Sequence, residues 1–379
     1  MPAARASLVL TTIFEGPILE TYFENFRKYG HLEQTEVILI PDRKTPAPVK
    51  DACDSLTARG LCCVCPSLEE QEAYLRRAGI PPEMIPYDSD NRRNVGYLMA
   101  LESGTDFLIT IDDDNYCVDS EDFFAAHSVV AQPPAEHDVA ASSTGFLNIC
   151  DLLEYAGPAR VYPRGFPYVA RHKPEQWQVE QRTADIHMNA GLWLRDPDVD
   201  AITWLVGPVR VSRFKGPSLT LAADTWAPVN SQNSALRRDA IAAYYFVRMG
   251  YNIAGISIDR FGDIFSGYFT EACAKHLGGS IRFGSPVAEH RRNSHNYMKD
   301  AVREWACVVV LEDMLPWMRE TRLSGSSYAE AYLCLSHLMQ DAVERFQGPL
   351  WTDGTRAYFH QMAYHMRLWL KACRAIGGC

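Results

Sequence analysis

The first third of the chain alternates short apolar runs with amphipathic stretches. Residues 7–12, 36–40 and 61–65 are β-branched and apolar, and each ends in a polar or turn-forming cluster, the signature of buried strands. Gly16-Pro17 opens a helix in which Ile18, Leu19, Tyr22, Phe23 and Phe26 make one apolar face, and Gly30 closes it. Ser67-Leu68-Glu69-Glu70 is a capping box ahead of another helix. A helix from about Asn94 to Ser103 leads into a fourth strand, Phe107-Leu108-Ile109-Thr110-Ile111. Strands alternating with helices predict an α/β fold, a doubly wound and mostly parallel sheet with helices on both faces. Ligands of such sheets sit beyond the carboxyl ends of the strands. Thr11, Thr12, Asp42 and the acids that follow Ile111 all fall there.

Further on the alternation loosens. Strands are expected near 139–142, 191–194 and 252–257, enough for a mixed sheet that builds a second half-site over the first. From about Ala301 the pattern is helical and rich in Tyr, Trp, Met and Leu. The expected division is an α/β catalytic domain over 1–300 and a C-terminal helical subdomain over 301–379, with a homodimer surface on the latter.

The fourth strand runs into Asp112, Asp113, Asp114 and Asn115. On extended backbone Asp112 and Asp114 share a face and Asp113 points away. Two carboxylates converging at a strand end suit Mg²⁺ or Mn²⁺ together with phosphate oxygens, and a solvated acidic loop is the competing reading.

Composition narrows the field. Apolar content of 47% and charged content of 22% describe a globular protein. A formal charge of −10 without a basic stretch argues against nucleic acid as a partner. No apolar run reaches membrane-spanning length and the N-terminus lacks a signal-peptide layout, so the expected location is the cytoplasm, with no membrane partner. Of the eleven cysteines, Cys62, Cys63 and Cys65 imitate a zinc cluster, but a strand pattern and the lack of a second ligand pair favour reduced core thiols. No two glycines stand at i, i+2, so the dinucleotide fingerprint is missing, and FAD and NAD are disfavoured. Gly262 and Gly267 have phosphate-loop spacing, but Tyr268 occupies the lysine position.

Four loops carry candidate chemistry. Asp88 to Gly96 brings Arg92 and Arg93 to a helix start, where they clamp a diphosphate or merely form surface ion pairs. Tyr162-Pro163-Arg164-Gly165-Phe166-Pro167-Tyr168 holds Arg164 in a rigid loop, either lining a site or stacking a structural cation between aromatics. In the segment from Ser257 to Phe265, Asp259 reads as a helix cap and Asp263 is free for a substrate hydroxyl, unless it only partners the helix dipole. Glu289-His290-Arg291-Arg292 offers an imidazole to the metal and Arg291 or Arg292 to phosphate, although a lone histidine is usually structural.

The aspartate triplet, the Arg-Gly-Phe-Pro-Tyr loop, Ala190-Gly191-Leu192-Trp193-Leu194 and the stretch from Asp259 to Phe265 follow one another in an order that resembles the reversibly glycosylated polypeptides. These are flavin-independent mutases that interconvert pyranose and furanose rings of nucleotide sugars. Within the family, the nearest likeness is to its bacterial branch acting on GDP-L-galactose in nucleoside-antibiotic biosynthesis. The resemblance covers roughly residues 8–318, and the helical tail after about Glu320 has no clear counterpart in it. It implies a glycosyltransferase-A-like fold, a DXD-type Mn²⁺ or Mg²⁺ site at Asp112, Asp114 and His290, and no flavin. A GDP- or UDP-linked sugar would lie against Thr12, Asp42, Arg93, Asn94, Asp112, Asn189, Asp259 and Arg291. Arg164, Asp263 and Asp113 would be catalytic, Arg164 matching an arginine that plant members carry in Arg-Gly-Tyr-Pro-Phe and that is linked to glycosylation of the protein. Asn115 replaces a cysteine of those members, and the loop 172–187 looks longer. A retaining glycosyltransferase and a non-catalytic nucleotide-sugar-binding protein are the other readings.

Overall fold

A computed structural model describes residues 4–377 apart from 16 and 254, so Gly16, expected to open the first helix, lies outside the described residues. Four strands, β1 (Ala6–Thr12), β2 (Thr35–Pro41), β3 (Cys62–Val64) and β4 (Phe107–Ile111), alternate with α1 (Pro17–Tyr29), α2 (Pro48–Ala58), α3 (Leu68–Arg77) and α4 (Arg93–Ser103). Pairing is parallel throughout this half, in the order β3-β2-β1-β4. Side-chain alternation divides the strands between two cores. Val9, Ile38 and Ile40 face Val95 and Leu98 of α4, whereas Leu8, Leu10, Val37 and Leu39 face α1 and α2. Helices therefore cover both faces. The capping box forms as expected, with Ser67 Oγ accepting from Glu70 N–H and Glu70 accepting from Ser67 N–H.

The second half adds β5 (Asn115–Cys117), α5 (Phe123–His127), β6 (Ala135–Ser142), β7 (Leu153–Ala156), α6 (Tyr168–Arg171), β8 (Trp177–Ala184), β9 (Ile186–Arg195), α7 (Ala201–Val206), β10 (Arg210–Phe214), β11 (Leu219–Leu221) and β12 (Asn233–Arg237). There follow a hairpin of β13 (Tyr251–Ile253) and β14 (Ile256–Ile258), then α8 (Gly262–His276) and β15 (Ser280–His290). The single strand expected over 252–257 is thus two short antiparallel ones with Gly255 in a left-handed conformation between them. The main sheet continues from β4 through β12, β9, β15, β11 and β6 to β8, mixing parallel and antiparallel pairs. This is the glycosyltransferase-A-like architecture that the resemblance implied, a mixed sheet between helical layers.

Two pairings position the site. β12 runs antiparallel to β4 with Asn233 opposite Ile111, and Asp112 N–H donates to Gln232 C=O just beyond it. β15 pairs with β5, placing His290 opposite Asn115, and Arg291 N–H donates to Asp114 C=O at 2.8 Å. The aspartate turn is therefore held on both sides by main chain.

The chain closes with α9 (Tyr297–Glu320), α10 (Tyr328–Val343) and α11 (Asp353–Ala375). Their buried side chains belong to the same continuous core as α4 and α8. Trp369 Nε1 donates to Ile241 C=O and the Tyr358 hydroxyl to Arg248 C=O, so the helices are tied to the sheet domain by buried hydrogen bonds. Cys53 of α2 lies beside Cys63 and Cys65 as thiols. Cys62 is exposed and Cys63 and Cys65 are only half-buried, so the three are free thiols at the sheet edge and not the core thiols expected. No group of three or more His, Cys, Asp or Glu placed to hold a metal occurs among the described residues. No described helix is long and apolar enough to cross a membrane.

Candidate functional site

At the carboxyl ends of β1, β2 and β4 lies a cleft of about 340 Å³ lined by Thr11, Thr12, Ile13, Asp42, Lys44, residues 88–90, Arg93 and all three aspartates. It joins a smaller cavity of about 190 Å³ lined by Arg164, Asp198, Ser231, Gln232, Phe246, Arg260, Asp263, His290, Arg292 and His295. Asp90, Arg93, Asp112 and Asp114 border both. The aspartates occupy a turn after β4, closed by Asn115 N–H to Asp112 C=O, instead of the extended strand expected for them. The separation is nonetheless the expected one: Asp112 and Asp114 reach the inner cavity, and Asp113 turns to β1, accepting from Ile13 N–H at 3.3 Å. Burial, reinforced by its two neighbours, pushes the Asp113 carboxyl up to about 6.

Arg93 is almost fully buried. It donates to Asp112 Oδ1 at 2.8 Å, to Ser231 Oγ at 2.8 Å and, through Nε, to Asp90 C=O. Burial opposes its charge, but Asp112 more than compensates and keeps the guanidinium protonated. Asp114 Oδ2 stands 3.3 Å from His290 Nε2. The other ring nitrogen, Nδ1, is 2.5 Å from Asp196 C=O, an acceptor, so Nδ1 carries a proton. Burial works against charge on both groups, yet each is held charged by the other: the Asp114 carboxyl is lowered and the His290 imidazole raised. Fixing Nδ1–H on a carbonyl and aiming Nε2 at a carboxylate is how metal-binding imidazoles are oriented. Asp114 and His290 thus form a pair of donors of the kind a hard divalent ion takes, while Asp112, the third expected ligand, is engaged by Arg93, so a three-ligand group is not assembled among the described residues.

Arg164 sits at the first corner of a tight turn. Phe166 N–H donates to Pro163 C=O at 3.0 Å, and Gly165 has φ 86°. A type II turn requires a positive φ there. A Cβ at Gly165 would also stand 2.5 Å from Ile264 Cγ2. From this corner Arg164 commits all its donors to the protein. Nε and Nη2 reach Asp198 at 3.0 and 2.9 Å, Nη1 and Nη2 reach Asp263 at 3.0 and 2.6 Å, and Nη1 also meets Arg260 C=O at 2.5 Å. Burial penalises the cation, but two carboxylates raise its pKa well above the ordinary arginine value. The same cation outweighs burial at Asp198 and lowers that carboxyl. One guanidinium between two carboxylates leaves the cluster with a formal charge of −1.

Arg260 itself is left-handed, at φ 63°. Its side chain is held by Glu304 at 3.1 Å and Asp300 at 3.4 Å, both on α9. The C-terminal helices thereby fix the carbonyl that Arg164 uses.

Thr12, Asp42, Arg93, Asp112, Asp113, Asp114, Arg164, Asp263 and His290 are thus gathered around the two cavities. Four others are not. Asn94 is buried and bonded to the main chain of Phe246. Asn189 is buried on β9 against Ala126, His127 and Arg282. Asp259 caps no helix: α8 starts after Phe261 without a side-chain cap, and Asp259 accepts from Arg260 N–H. Arg291 points outward onto Glu289 and the Tyr116 ring. Two acids of the site, Asp198 and Asp90, were not singled out. Asp198 lies in Arg195-Asp196-Pro197-Asp198-Val199-Asp200, where nothing in the pattern separates one acid from its neighbours. A larger cavity of about 770 Å³ lies elsewhere, but its Lys275 is committed to Ala222 and Thr225 carbonyls and its Arg319 to the Phe146 ring.

The chain is 26% identical over 293 residues to the probable UDP-arabinopyranose mutase 4 of Arabidopsis thaliana, covering 76% of this chain and 72% of that protein. It is 25% identical over 301 residues to the UDP-arabinopyranose mutase 1 of Oryza sativa subsp. japonica, covering 78% and 74%. Among solved structures, the glucosyl-3-phosphoglycerate synthase of Mycobacterium tuberculosis in complex with Mn²⁺ and UDP-glucose is 12% identical with a TM-score of 0.41, covering 82% of this chain and 79% of that one. The mannosyltransferase PcManGT of Pyrobaculum calidifontis in complex with GDP-Man and Mn²⁺ is 10% identical with a TM-score of 0.38, covering 99% and 76%. The model of the family described as reversibly glycosylated polypeptide matches residues 74–378. That span includes the helical tail, which therefore has a family counterpart after all, and it leaves β1 to β3 outside the match. The chain belongs to the reversibly glycosylated polypeptide family.

Proposed function

We propose that this chain is a cytoplasmic, divalent-metal-dependent and flavin-independent mutase that interconverts the pyranose and furanose forms of a nucleotide-linked hexose. The observation that carries the reading is the junction of two cavities: a nucleotide-sized cleft opens past Asp112 and Asp114 onto the Arg164–Asp198–Asp263 cluster. The inner cavity holds the volume of about six waters, which suits a single sugar ring and leaves little room for an acceptor. The catalytic groups lie within residues 1–300, and 301–379 serve as a helical subdomain behind them.

Thr12 and Asp42 would bind the nucleoside. The Asp42 carboxylate is partnered by main-chain N–H groups of Arg43 and Ser89. A carboxylate there accepts from an N–H of either guanine or uracil, and a GDP-sugar, with GDP-L-galactose the favoured substrate, is proposed on the family resemblance alone. The relatives' names speak for UDP instead, and direct assay discriminates. Asp114 and His290, with Asp112, would hold Mn²⁺ or Mg²⁺, which supplies charge stabilisation to the departing diphosphate.

The remaining chemistry belongs to the chain's own side chains. When the bond from C1 to the diphosphate breaks, positive charge develops on the sugar, and the anionic cluster around Arg164 faces it. The O4–C1 bond then forms and the C1–O5 bond breaks, while the O4 proton passes to O5. Asp263, which borders the cavity, is the group assigned to carry that proton, giving up a hydrogen bond from Arg164 to do so. Arg164 fixes Asp263 and Asp198 in place. As a fully hydrogen-bonded cation it is a poor nucleophile. The cavity retains the sugar until the same diphosphate recaptures C1.

Purified protein with Mn²⁺ and a panel of GDP- and UDP-hexoses, analysed by anion exchange and proton NMR, tests the proposal. A new peak of unchanged mass with a furanose anomeric signal, lost on chelation, is expected. Free nucleoside diphosphate without that peak would instead indicate a retaining transferase or a hydrolase, and no turnover a binding protein. An intact-mass search for a sugar adduct that disappears in Arg164→Ala would overturn the non-covalent role of Arg164.

A further inference from the structure

A group of thiols meets where α2 packs on β3, the end strand of the sheet. Cys53 lies on the buried face of α2 with Val49 and Leu56. Cys63 and Cys65 stand two residues apart and turn the same side toward that helix, whereas Cys62 takes the opposite face and is exposed. Cys53 Sγ is within hydrogen-bond reach of both the Cys63 and the Cys65 thiol. Thr57, one helical turn beyond Cys53, clamps the contact: its hydroxyl accepts from Cys63 N–H at 3.3 Å and donates to Cys53 C=O at 3.1 Å. Cys53 is 1% exposed, while Cys63 and Cys65 are only partly covered. All three precede residues 74–378, the span matched by the family, and none lines the two cavities of the candidate site.

We propose that this cluster is a reversible two-electron oxidation site that takes a hydroperoxide and closes a disulfide from Cys53 to Cys63 or Cys65. The contact with Cys63, together with burial, pushes the Cys53 thiol up to about 12, and the contact with Cys53 raises Cys65 as well. Both rest as thiols, so the attack falls to Cys63. Its sulfur takes one peroxide oxygen: the S–O bond forms, the O–O bond breaks, and the other oxygen leaves as water or an alcohol with the thiol proton. The Cys53 sulfur then displaces the hydroxyl of the sulfenic acid. The S–S bond forms, and the Cys53 proton departs with that hydroxyl as water. Cys65 can attack the Cys53 sulfur in turn and release Cys63, which moves the disulfide along the strand. A resolving thiol held in contact closes the bond before a second peroxide converts the sulfenic acid to sulfinic acid, a step that small thiols do not reverse.

The test takes the full chain, reduced and freed of reductant, through hydrogen peroxide, alkylation and digestion with trypsin. Cleavage after Lys50, Arg59 and Arg76 puts Cys53 in peptide 51–59 and Cys63 and Cys65 in peptide 60–76. Material that runs as a single chain on a non-reducing gel should yield the two peptides joined, about 2 Da lighter than their sum, and dithiothreitol should part them. Cys62→Ser should keep the link. Cys53→Ser should lose it and gain about 32 Da of oxygen on 60–76 that dithiothreitol leaves in place. Should Cys53→Ser fail to fold, the wild-type and Cys62→Ser maps carry the test. Wild-type thiols that all remain open to alkylation after peroxide would overturn the proposal, as would a link lost in Cys62→Ser or kept in Cys53→Ser. A folded Cys53→Ser free of added oxygen would overturn the resolving role of Cys53.

Discussion

Gly165 is the position where local backbone geometry bears most directly on the site, and Gly165→Ala makes that dependence measurable. The residue has φ 86°, and an added Cβ would stand 2.5 Å from Ile264 Cγ2 and 3.3 Å from Pro228 Cβ. A left-handed alanine costs about 1–2 kcal/mol. Overpacking against buried Ile264 adds about 1–3 kcal/mol. Urea unfolding should therefore show a loss of about 2–5 kcal/mol from the two terms together. Ile264→Ala alone should cost about 2–5 kcal/mol through its cavity. The double variant should fall short of the sum by about 1–3 kcal/mol, because the contact is removed and the new methyl fills part of the cavity, while the φ cost stays. Turnover by Gly165→Ala should drop about 100-fold if the turn moves Arg164 by as much as 1 Å. Additivity within about 0.5 kcal/mol would show that the methyl never meets Ile264. Unaltered turnover would show that this turn does not set the position of Arg164.

Three further perturbations follow from the same geometry. Asp198→Ala leaves two donors of buried Arg164 without their acceptors while Asp263 still balances the cation, and should cost about 1–3 kcal/mol in urea unfolding, a loss that an unchanged midpoint would refute. His290→Ala should weaken Mn²⁺ binding by at least about 10–100-fold in calorimetric titration, and equal affinity would remove His290 from the metal site. Glu271, fully buried on α8, titrates at about 8, chiefly through burial, against an ordinary value of 4.5. The folded state therefore takes up a proton between those values, and stability falls as pH rises through that window by up to about 1.4 kcal/mol per pH unit. Glu271→Gln should flatten this slope in denaturant titrations from pH 5 to pH 8, and a slope equal to wild type would refute the assignment.

Strong local patterns were legible in the sequence. The apolar runs of β1, β2 and β4 declare themselves because both sheet faces are covered, and the acids after Ile111 emerge where a parallel sheet exposes its ligand edge. β8 was invisible for the opposite reason: its sequence Trp-Gln-Val-Glu-Gln-Arg-Thr-Ala sits on an exposed edge, so burial imposes no periodicity on it. Arg164 was found through its rigid Pro/Gly loop, whereas its partner Asp198 was not, because the pairing spans 34 residues and only the tertiary fold creates it. Asn94 and Asn189 show the converse. Each lies in a suggestive place in the chain, but side-chain direction, which spacing alone does not fix, turns both into the interior.

The left-handed Arg260, pinned by Glu304 and Asp300, changes what kind of object the C-terminal tail is. A tail of three helices looks like a cassette that recombination could exchange among relatives, leaving the chemistry untouched. Here the exchange would carry away the acids that hold the Arg164 corner in register. Chimeras joined ahead of α9 should therefore inherit compatibility as a unit from whichever parent supplies both the 260–263 corner and the helix behind it. Sequence drift in the tail is constrained by a site that it meets through Arg260.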